Sequence, residues 1–239
     1  MVTVCRKKRG ISYTQKWFAR EAGRGGFARI LAYYQYLGER PPGLFLRKPF
    51  STLLVDIGRQ PELVLADMHK VNRVQIQKAE REGLSWRNDV RVEEFVERYN
   101  AFAAEKSIAP ISAERVASFK DSAFLSLVEL DGVVLAQHFH IVDAAESRAR
   151  FVYGSSGRFS EGSDPALIGR ANRWCHWRDM LHFRESGIAT YDFGGYAPDT
   201  EDPVLRGINE FKSRFGGAIV REDHWLSPLY ALAGRLGLQ

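Results

Sequence analysis

The sequence predicts a mixed α/β fold, and three observations carry that prediction. Ala123 to Leu130 and Val133 to Val142 are two β-rich runs joined by Asp131-Gly132, a strong hairpin signal. A helical stretch opened by Asp164-Pro165 runs to Glu185 and is followed by a short apolar strand ending at Phe193. That strand leads through Gly194-Gly195 into another helix and then Gly216-Gly217, a tight strand–helix–strand unit. Helices alternating with strands around a central hairpin imply a mixed sheet, α+β in character, with helices packed on it.

In chain order, Ser12 to Leu37 reads as helix broken at Gly23 to Gly26, with Phe27, Ile30, Leu31, Tyr34 and Leu37 on one face. Tyr33, Tyr34 and Tyr36 beside arginines suit either base stacking or the rim of a packed helix. Pro41-Pro42-Gly43 ends the segment, and Leu44 to Arg47 and Ser51 to Ile57 read as strands around Pro49. A long helix from Pro61 to Glu82 follows, with Leu63, Leu65, Met68, Val71, Ile76 and Ala79 apolar, Lys78 placed to pair with Glu82, and Gly83 as the stop. Leu84 to Arg87 is a short strand, Val92 to Phe102 a helix, and Ser112 caps a shorter helix ending near Phe119. The hairpin comes next, then a third strand from Arg148 to Tyr153 and a Gly/Ser-rich loop from Gly154 to Asp164. Beyond the long helix, a strand to Phe193, a helix over 203–215, a strand over 218–222 and a terminal helix near Leu229 to Leu236 complete the order. In the 203–215 helix, Leu205, Ile208, Phe211 and Phe215 recur at helical spacing, which puts Lys212 at the border of a buried face.

Of 239 residues, 45% are hydrophobic and 26% charged, the balance of a soluble globular protein with a real core. No run of 18 apolar residues suggests a membrane span, and no apolar stretch follows the basic cluster Arg6 to Arg9, so a cytoplasmic location is expected. Cys5 and Cys175 lie far apart without partners at metal spacing, so neither a disulfide framework nor a metal centre is expected. Residues 1–48 hold 11 Lys or Arg against two acids, a net +9, while the remainder carries −4. Such asymmetry suits a surface for RNA, anionic lipid headgroups or a phosphate-bearing substrate; its simpler reading is a solubilising tail.

From residue 84 the order β-α-α-β-β-β-α-β-α-β is that of the GNAT acyltransferase fold, preceded by an extension of helices and strands. The expected organisation is therefore a basic extension over 1–83, a GNAT-like domain over 84–226 and a tail over 227–239. Asp192-Phe193-Gly194-Gly195, Gly207-Ile208, Phe211-Lys212 and Phe215-Gly216-Gly217 resemble the C-terminal signature of the Fem-type (FemABX) branch of that superfamily. Asn72 to Gly83 is similar to that family's charged helix. The resemblance covers roughly residues 50–226. It departs from the best-known members in showing one complete GNAT order rather than two.

The resemblance implies direct transfer of an aminoacyl or acyl group to an amine, with aminoacyl-tRNA as co-substrate and no tightly bound cofactor. Acyl-coenzyme A is the competing donor, although the 154–164 loop lacks the usual pyrophosphate spacing and carries Glu161 and Asp164. The implied acceptor is an amine on a cell-envelope precursor, amino sugar or small peptide, with contact to a membrane surface as a further expectation. The resemblance places Lys212 at the developing negative charge and Phe211 beneath the donor or stacked on its terminal adenosine. It has Asp192, Gly194 and Gly195 shaping the acyl site. Tyr196 and Arg173 join them as substrate-binding candidates. His138 and His140 flank Phe139 on one strand and so project to one face, where both could reach the acceptor amine, His140 as a substrate-binding residue and His138 as base; strand histidines of this kind are more often packed. Tyr153, at a strand end, could hydrogen-bond a tetrahedral intermediate. His176, Asp179 and His182, with Trp174 and Trp177, read first as a packed helix face. A non-catalytic module that binds RNA or an anionic surface is the alternative of a different class.

Overall fold

The computed structural model describes residues 1–157 and 164–237. The chain opens with a hairpin of β1 (Val2–Lys8) and β2 (Ile11–Trp17), turned at Arg9-Gly10, both at positive φ. Val2, Val4 and Arg6 alternate inward on β1, and Tyr13, Gln15 and Trp17 do so on β2. The basic run is thus strand and turn, and buried Arg6 donates from Nη1 to Gln15 Oε1 at 2.9 Å. After a 3₁₀ turn at Gly26–Ala28 comes β3 (Leu31–Tyr34), parallel to β2. The helix expected over Ser12 to Leu37 is therefore two strands and a turn. The three- and four-residue spacing that suggested it was coincidental: Phe27 is exposed, while Leu31, Ala32 and Tyr33 are buried in a strand. Tyr33 is enclosed by Tyr36 and Phe45, which removes it as a stacking platform for bases.

β4 (Leu46–Lys48) and β5 (Ser51–Asp56) flank Pro49 as expected. The single helix expected from Pro61 to Glu82 is two, α1 (Pro61–Asp67) and α2 (Lys70–Arg81). Extended backbone at Met68 separates them, and His69 Nδ1 caps α2 by accepting the Val71 N–H at 3.3 Å. Val64 of α1, Met68 between the helices and Ile76 of α2 reach one core, which explains why the apolar spacing reads as continuous. Lys78 does pair with Glu82 at 3.9 Å, but the tighter partner of Glu82 is Arg170 at 2.7 Å. The remaining elements are β6 (Ser85–Arg87), α3 (Val92–Glu105), α4 (Ala113–Ala117), β7 (Ala123–Leu130), β8 (Val133–Asp143), β9 (Arg148–Ser156), α5 (Pro165–Glu185), β10 (Thr190–Tyr196), α6 (Pro203–Ser213), β11 (Ala218–Arg221), β12 (His224–Leu226) and α7 (Pro228–Arg235). Ser112 caps α4 by accepting the Arg115 N–H, and Asp131-Gly132, both at positive φ, turns the hairpin.

The strands form a five-stranded sheet, β1-β2-β3-β12-β4, and a seven-stranded sheet, β11-β5-β10-β9-β8-β7-β6. By proximity the chain divides into one unit of Met1–Thr52 with Ile219–Gln239 and another of Leu53–Ala218. The boundary expected after residue 83 falls inside the second unit, because Ile76 and Ala79 of α2 share a core with Trp174 and Cys175 of α5. In the first unit Tyr13, Ala32 and Tyr230 form a core, with Gln15 Nε2 donating to the Tyr230 hydroxyl at 2.7 Å. In the second, α5 covers the sheet with Ala171, Trp174, Cys175, Met180 and Phe183, joined by Tyr191 and Phe193 of β10. This second unit carries the GNAT-like order. Leu205 and Ile208 are 39% and 43% exposed instead of buried; α6 is anchored at its C-terminal end, through half-buried Phe211 and, just beyond the helix, buried Phe215. No helix among the described residues is long and apolar enough to cross a membrane.

Candidate active site

The site is built where β9 and β10 part. Their parallel register spans three pairs, Thr190 to Asp192 against Arg148 to Arg150, although both strands run on. Asp192 Oδ1 accepts the Gly194 N–H at 2.7 Å, curling the backbone just after the last pair. Gly194 has φ +71, and a Cβ there would stand 2.9 Å from the Phe151 carbonyl oxygen. Only glycine fits this close approach in a left-handed conformation. On the other side, the register between β8 and β9 shifts at Phe139/His140 and skips Val152. This bulge changes which face the following residues address.

The sheet consequently separates candidates that the sequence had grouped. His138 and His140 face α5, and the bulge brings Phe151 to the same side, with ring centroids 4.9 Å and 5.5 Å from theirs. Tyr153 faces α3 instead, packing on Tyr99 and Phe139 and accepting from Arg115 Nε at 2.8 Å. His138 and Tyr153 cannot act on one reacting centre from opposite faces.

The α5 face carries a buried polar chain. Trp86 Nε1 donates to Asp179 Oδ1 at 2.9 Å, Asp179 Oδ2 meets His138 Nδ1 at 2.7 Å, and His138 Nε2 meets Asn172 Oδ1 at 3.0 Å. His140 Nε2 and His176 Nδ1 both bond the Tyr191 hydroxyl, at 2.9 Å and 2.7 Å. Burial raises the Asp179 carboxyl, but the His138 hydrogen bond and the neighbouring histidines outweigh it and hold the group below its ordinary value. Burial drives His140 down to about 3 and His176 well below its ordinary range, and pushes the Tyr191 hydroxyl up. With both nitrogens of fully buried His138 engaged, it presents no lone pair to an incoming amine.

His138, Cys175 and Asp179 bring one ligand atom each within 4.8 Å of one another. The 2.7 Å contact between His138 and Asp179 is a hydrogen bond, shorter than the roughly 3.3 Å between two ligands of one tetrahedral zinc. Burial also pushes the Cys175 thiol well up, toward the protonated form.

Opposite the curl of β10, Lys212 of α6 reaches back and donates from Nζ to the Gly195 carbonyl. Burial, helped by the nearby Arg150 charge and opposed by Asp192, lowers its ammonium from 10.5 to about 8. Asp192 is fully buried, its Oδ2 held by Arg148 at 2.7 Å and 3.1 Å. It is the electrostatic anchor of the turn rather than a group facing substrate. Asn209 pins the same turn, donating to the Ala197 carbonyl at 2.6 Å and accepting its N–H at 3.1 Å. The Tyr196 hydroxyl meets Ser213 Oγ at 3.3 Å, a second tie between β10 and α6.

Phe211, one residue from Lys212, borders a cavity of about 450 Å³ between α2, α5 and α6. Gln75, Gly169, Asn172 and Arg173 also line it. Arg173 holds its guanidinium 5.3 Å from the Phe211 ring centroid and donates to Asn72 Oδ1 and the Gly169 carbonyl. The α5 N-terminus closes one end of the cavity, where Asp164 caps the helix by accepting the Ala166 N–H at 2.8 Å. Of the 154–164 loop, which lacks the usual pyrophosphate spacing, Gly154 to Ser156 are strand and 158–163 lie outside the described residues.

No protein-family model matches the chain, and no curated protein does. Solved structures do. FemX superposes with a TM-score of 0.65 at 14% identity, covering 97% of this chain and 85% of its own. The fold is of the Fem type. The lysylphosphatidylglycerol synthetase structure from Bacillus licheniformis follows at 0.60 and 11% identity, covering 100% of this chain and 87% of that one. The C-terminal domain of a putative lysylphosphatidylglycerol synthetase from Agrobacterium fabrum gives 0.55 at 13% identity, covering 89% and 74%.

On this Fem-type frame, Lys212, Phe211, Gly194, Gly195, Tyr196 and Arg173 cluster around the parting of β9 and β10 and the cavity beside it. His138 and His140 lie beneath, in the core, and Tyr153 lies behind the sheet. Sequence reasoning missed Arg148, Arg150, Asn172, Tyr191 and Asn209. One signal was available: arginines at 148 and 150 share a strand face in an otherwise apolar run, and such burial needs a carboxylate, which Asp192 provides.

Proposed function

We propose that the protein is an aminoacyl transferase, taking its group from aminoacyl-tRNA and passing it to an amine on a cell-envelope precursor, amino sugar or small peptide, in the cytoplasm where charged tRNA is found. The observation that carries this reading is Lys212, fixed at the Gly195 carbonyl in the parting of the strands, with its ammonium lowered to about 8. The acceptor nitrogen attacks the ester carbonyl carbon, and Lys212 stabilises the charge that develops on the carbonyl oxygen. The bond from that carbon to the donor's ribose oxygen then breaks, and the proton shed by the nitrogen ends on the ribose hydroxyl. Positioning does most of the work, so no protein nucleophile is needed.

Two further points support the reading. The names of the Fem-type neighbours include lysylphosphatidylglycerol synthetases, which by that name join a lysyl group to a lipid. The α5 N-terminus, where a coenzyme A pyrophosphate would dock, already holds the Asp164 carboxylate. The test is a donor screen of charged tRNAs and acyl-coenzyme A thioesters against amino sugars and peptides, read by mass. Turnover that survives ribonuclease and requires a thioester would reject the tRNA donor.

A further inference from the structure

Among the polar residues bordering the cavity beside Phe211, Asn172 stands out by how its side chain is held. Asn172 sits on the stripe of α5 that faces the sheet, one turn before His176 and two before Asp179. Its Oδ1 is held by His138 Nε2 at 3.0 Å, and His138 is in turn held by Asp179 at 2.7 Å. Asp179 is fixed at its other oxygen by the Trp86 indole N–H. Three fully or largely buried groups, drawn from β6, β8 and α5, therefore set the rotation of a single side-chain amide. Among the described residues that amide makes no other side-chain hydrogen bond, and Asn172 borders the cavity. Where His138 donates from both ring nitrogens, to the Asp179 carboxylate and to the Asn172 oxygen, the Nδ2 hydrogens are left for the open side.

We propose that Asn172 is a substrate-binding residue, presenting a fixed N–H donor to an uncharged acceptor atom of the bound donor substrate, a carbonyl oxygen or a ring nitrogen. His138 and Asp179 are its positioning residues. This deepens the transferase reading and rests on it for the identity of the ligand. A free asparagine offers donor and acceptor equally and must give up rotamer freedom on binding. Here the ordering is already built into the core, so the site discriminates by hydrogen-bond polarity: a substrate donor placed at that point would meet a donor. Because the group lies on a helix rather than a loop, its position is also tied to the α5–sheet packing.

Asn172→Asp is the informative variant. It keeps an oxygen for His138 and the same shape, but replaces the cavity-facing donor with an acceptor. The probes are a non-hydrolysable 3′-aminoacylamido-adenosine and, in parallel, coenzyme A, with binding followed by calorimetry and by the Asn172 side-chain amide resonances of ¹⁵N-labelled protein. Expected results are a distinct, slowly exchanging amide pair in the unliganded wild type, a shift of that pair on binding, and at least tenfold weaker binding by Asn172→Asp with an unchanged or higher melting temperature. Asp179→Asn should broaden or average the Asn172 amide pair while the protein stays folded. Binding by Asn172→Asp within twofold of wild type overturns the proposal. So does an amide pair in the wild type that exchanges as freely as an exposed asparagine. Wild-type binding of coenzyme A alone rejects the aminoacyl-tRNA donor, and the Asn172→Asp comparison is then decided with coenzyme A by the same tenfold and twofold limits. Binding of neither probe overturns the Asn172 proposal as well.

Discussion

Replacing Lys212 by Met should make the protein more stable and inactive at once. In the folded chain the ammonium is lowered from 10.5 to about 8, chiefly by burial. Between those values the unfolded chain holds a proton that the folded one does not, so stability rises with pH across that window. Below pH 8 the buried side chain carries its charge in essentially every molecule, and the cost is greatest there. The whole shift corresponds to about 3 kcal/mol; part of the side chain stays in contact with solvent and the Gly195 hydrogen bond is lost with it, so roughly 1–3 kcal/mol is expected. For a chain of this size that is about 2–12 °C in melting temperature. The assay is thermal unfolding of both proteins at pH 7, 8, 9 and 10.5. The variant's advantage should be largest at pH 7 and shrink steadily above pH 8. A variant that is less stable at pH 7, or whose advantage does not change with pH, would refute the reasoning. In the transfer assay, wild-type turnover should fall about tenfold per pH unit above 8, as the cation is lost, and Lys212→Arg should remove that limb.

Gly194→Ala should cost about 1–3 kcal/mol, from the left-handed backbone and the 2.9 Å approach to the Phe151 carbonyl, measured by urea unfolding. Asn209→Ala removes both ties to Ala197 and should lower kcat far more than it lowers melting temperature, since the turn holding Gly195 loosens while the core is untouched. His140 falls to about 3 in the fold against an ordinary 6.5, so wild-type stability should be lost as pH drops from 6.5 toward 3. His140→Leu should flatten that acid limb, seen as a smaller change in urea midpoint between pH 7 and pH 4.

How much of this was legible in the sequence depends on the range of the interactions. The hairpin at Asp131-Gly132, the Asp164-Pro165 start of α5 and the Ser112 cap are local signals, and each stands where it was read. The first 40 residues were misread because their strands complete a sheet with residues 224–226, and no local pattern announces a partner that distant. Lys212 and the glycine pairs stand out in the sequence because their spacing is unusual, and the fold brings Lys212 to the Gly195 carbonyl. His138 is a candidate from strand alternation and Tyr153 from its place at a strand end, and only the register between their strands, with Val152 skipped, shows that they address opposite faces. Asn172 was invisible for a related reason. An asparagine in a helix gains a role only once the histidine opposite it is known.

The five-stranded sheet has a consequence for biosynthesis. Its fourth strand in spatial order, β12, pairs with both β3 and β4 but is translated after the whole of the second unit. Ribosomes add about 5–20 residues per second, so the N-terminal strands wait roughly 10–30 s with β3 and β4 unjoined. During that interval their open edges are exposed to any other nascent strand. The residues that finish the sheet, Ser227 accepting the Leu31 N–H and Tyr230 meeting Gln15, also follow the second unit in the chain. The first unit is thus a late-closing clasp, and its yield should depend on whatever shields those edges until the clasp shuts.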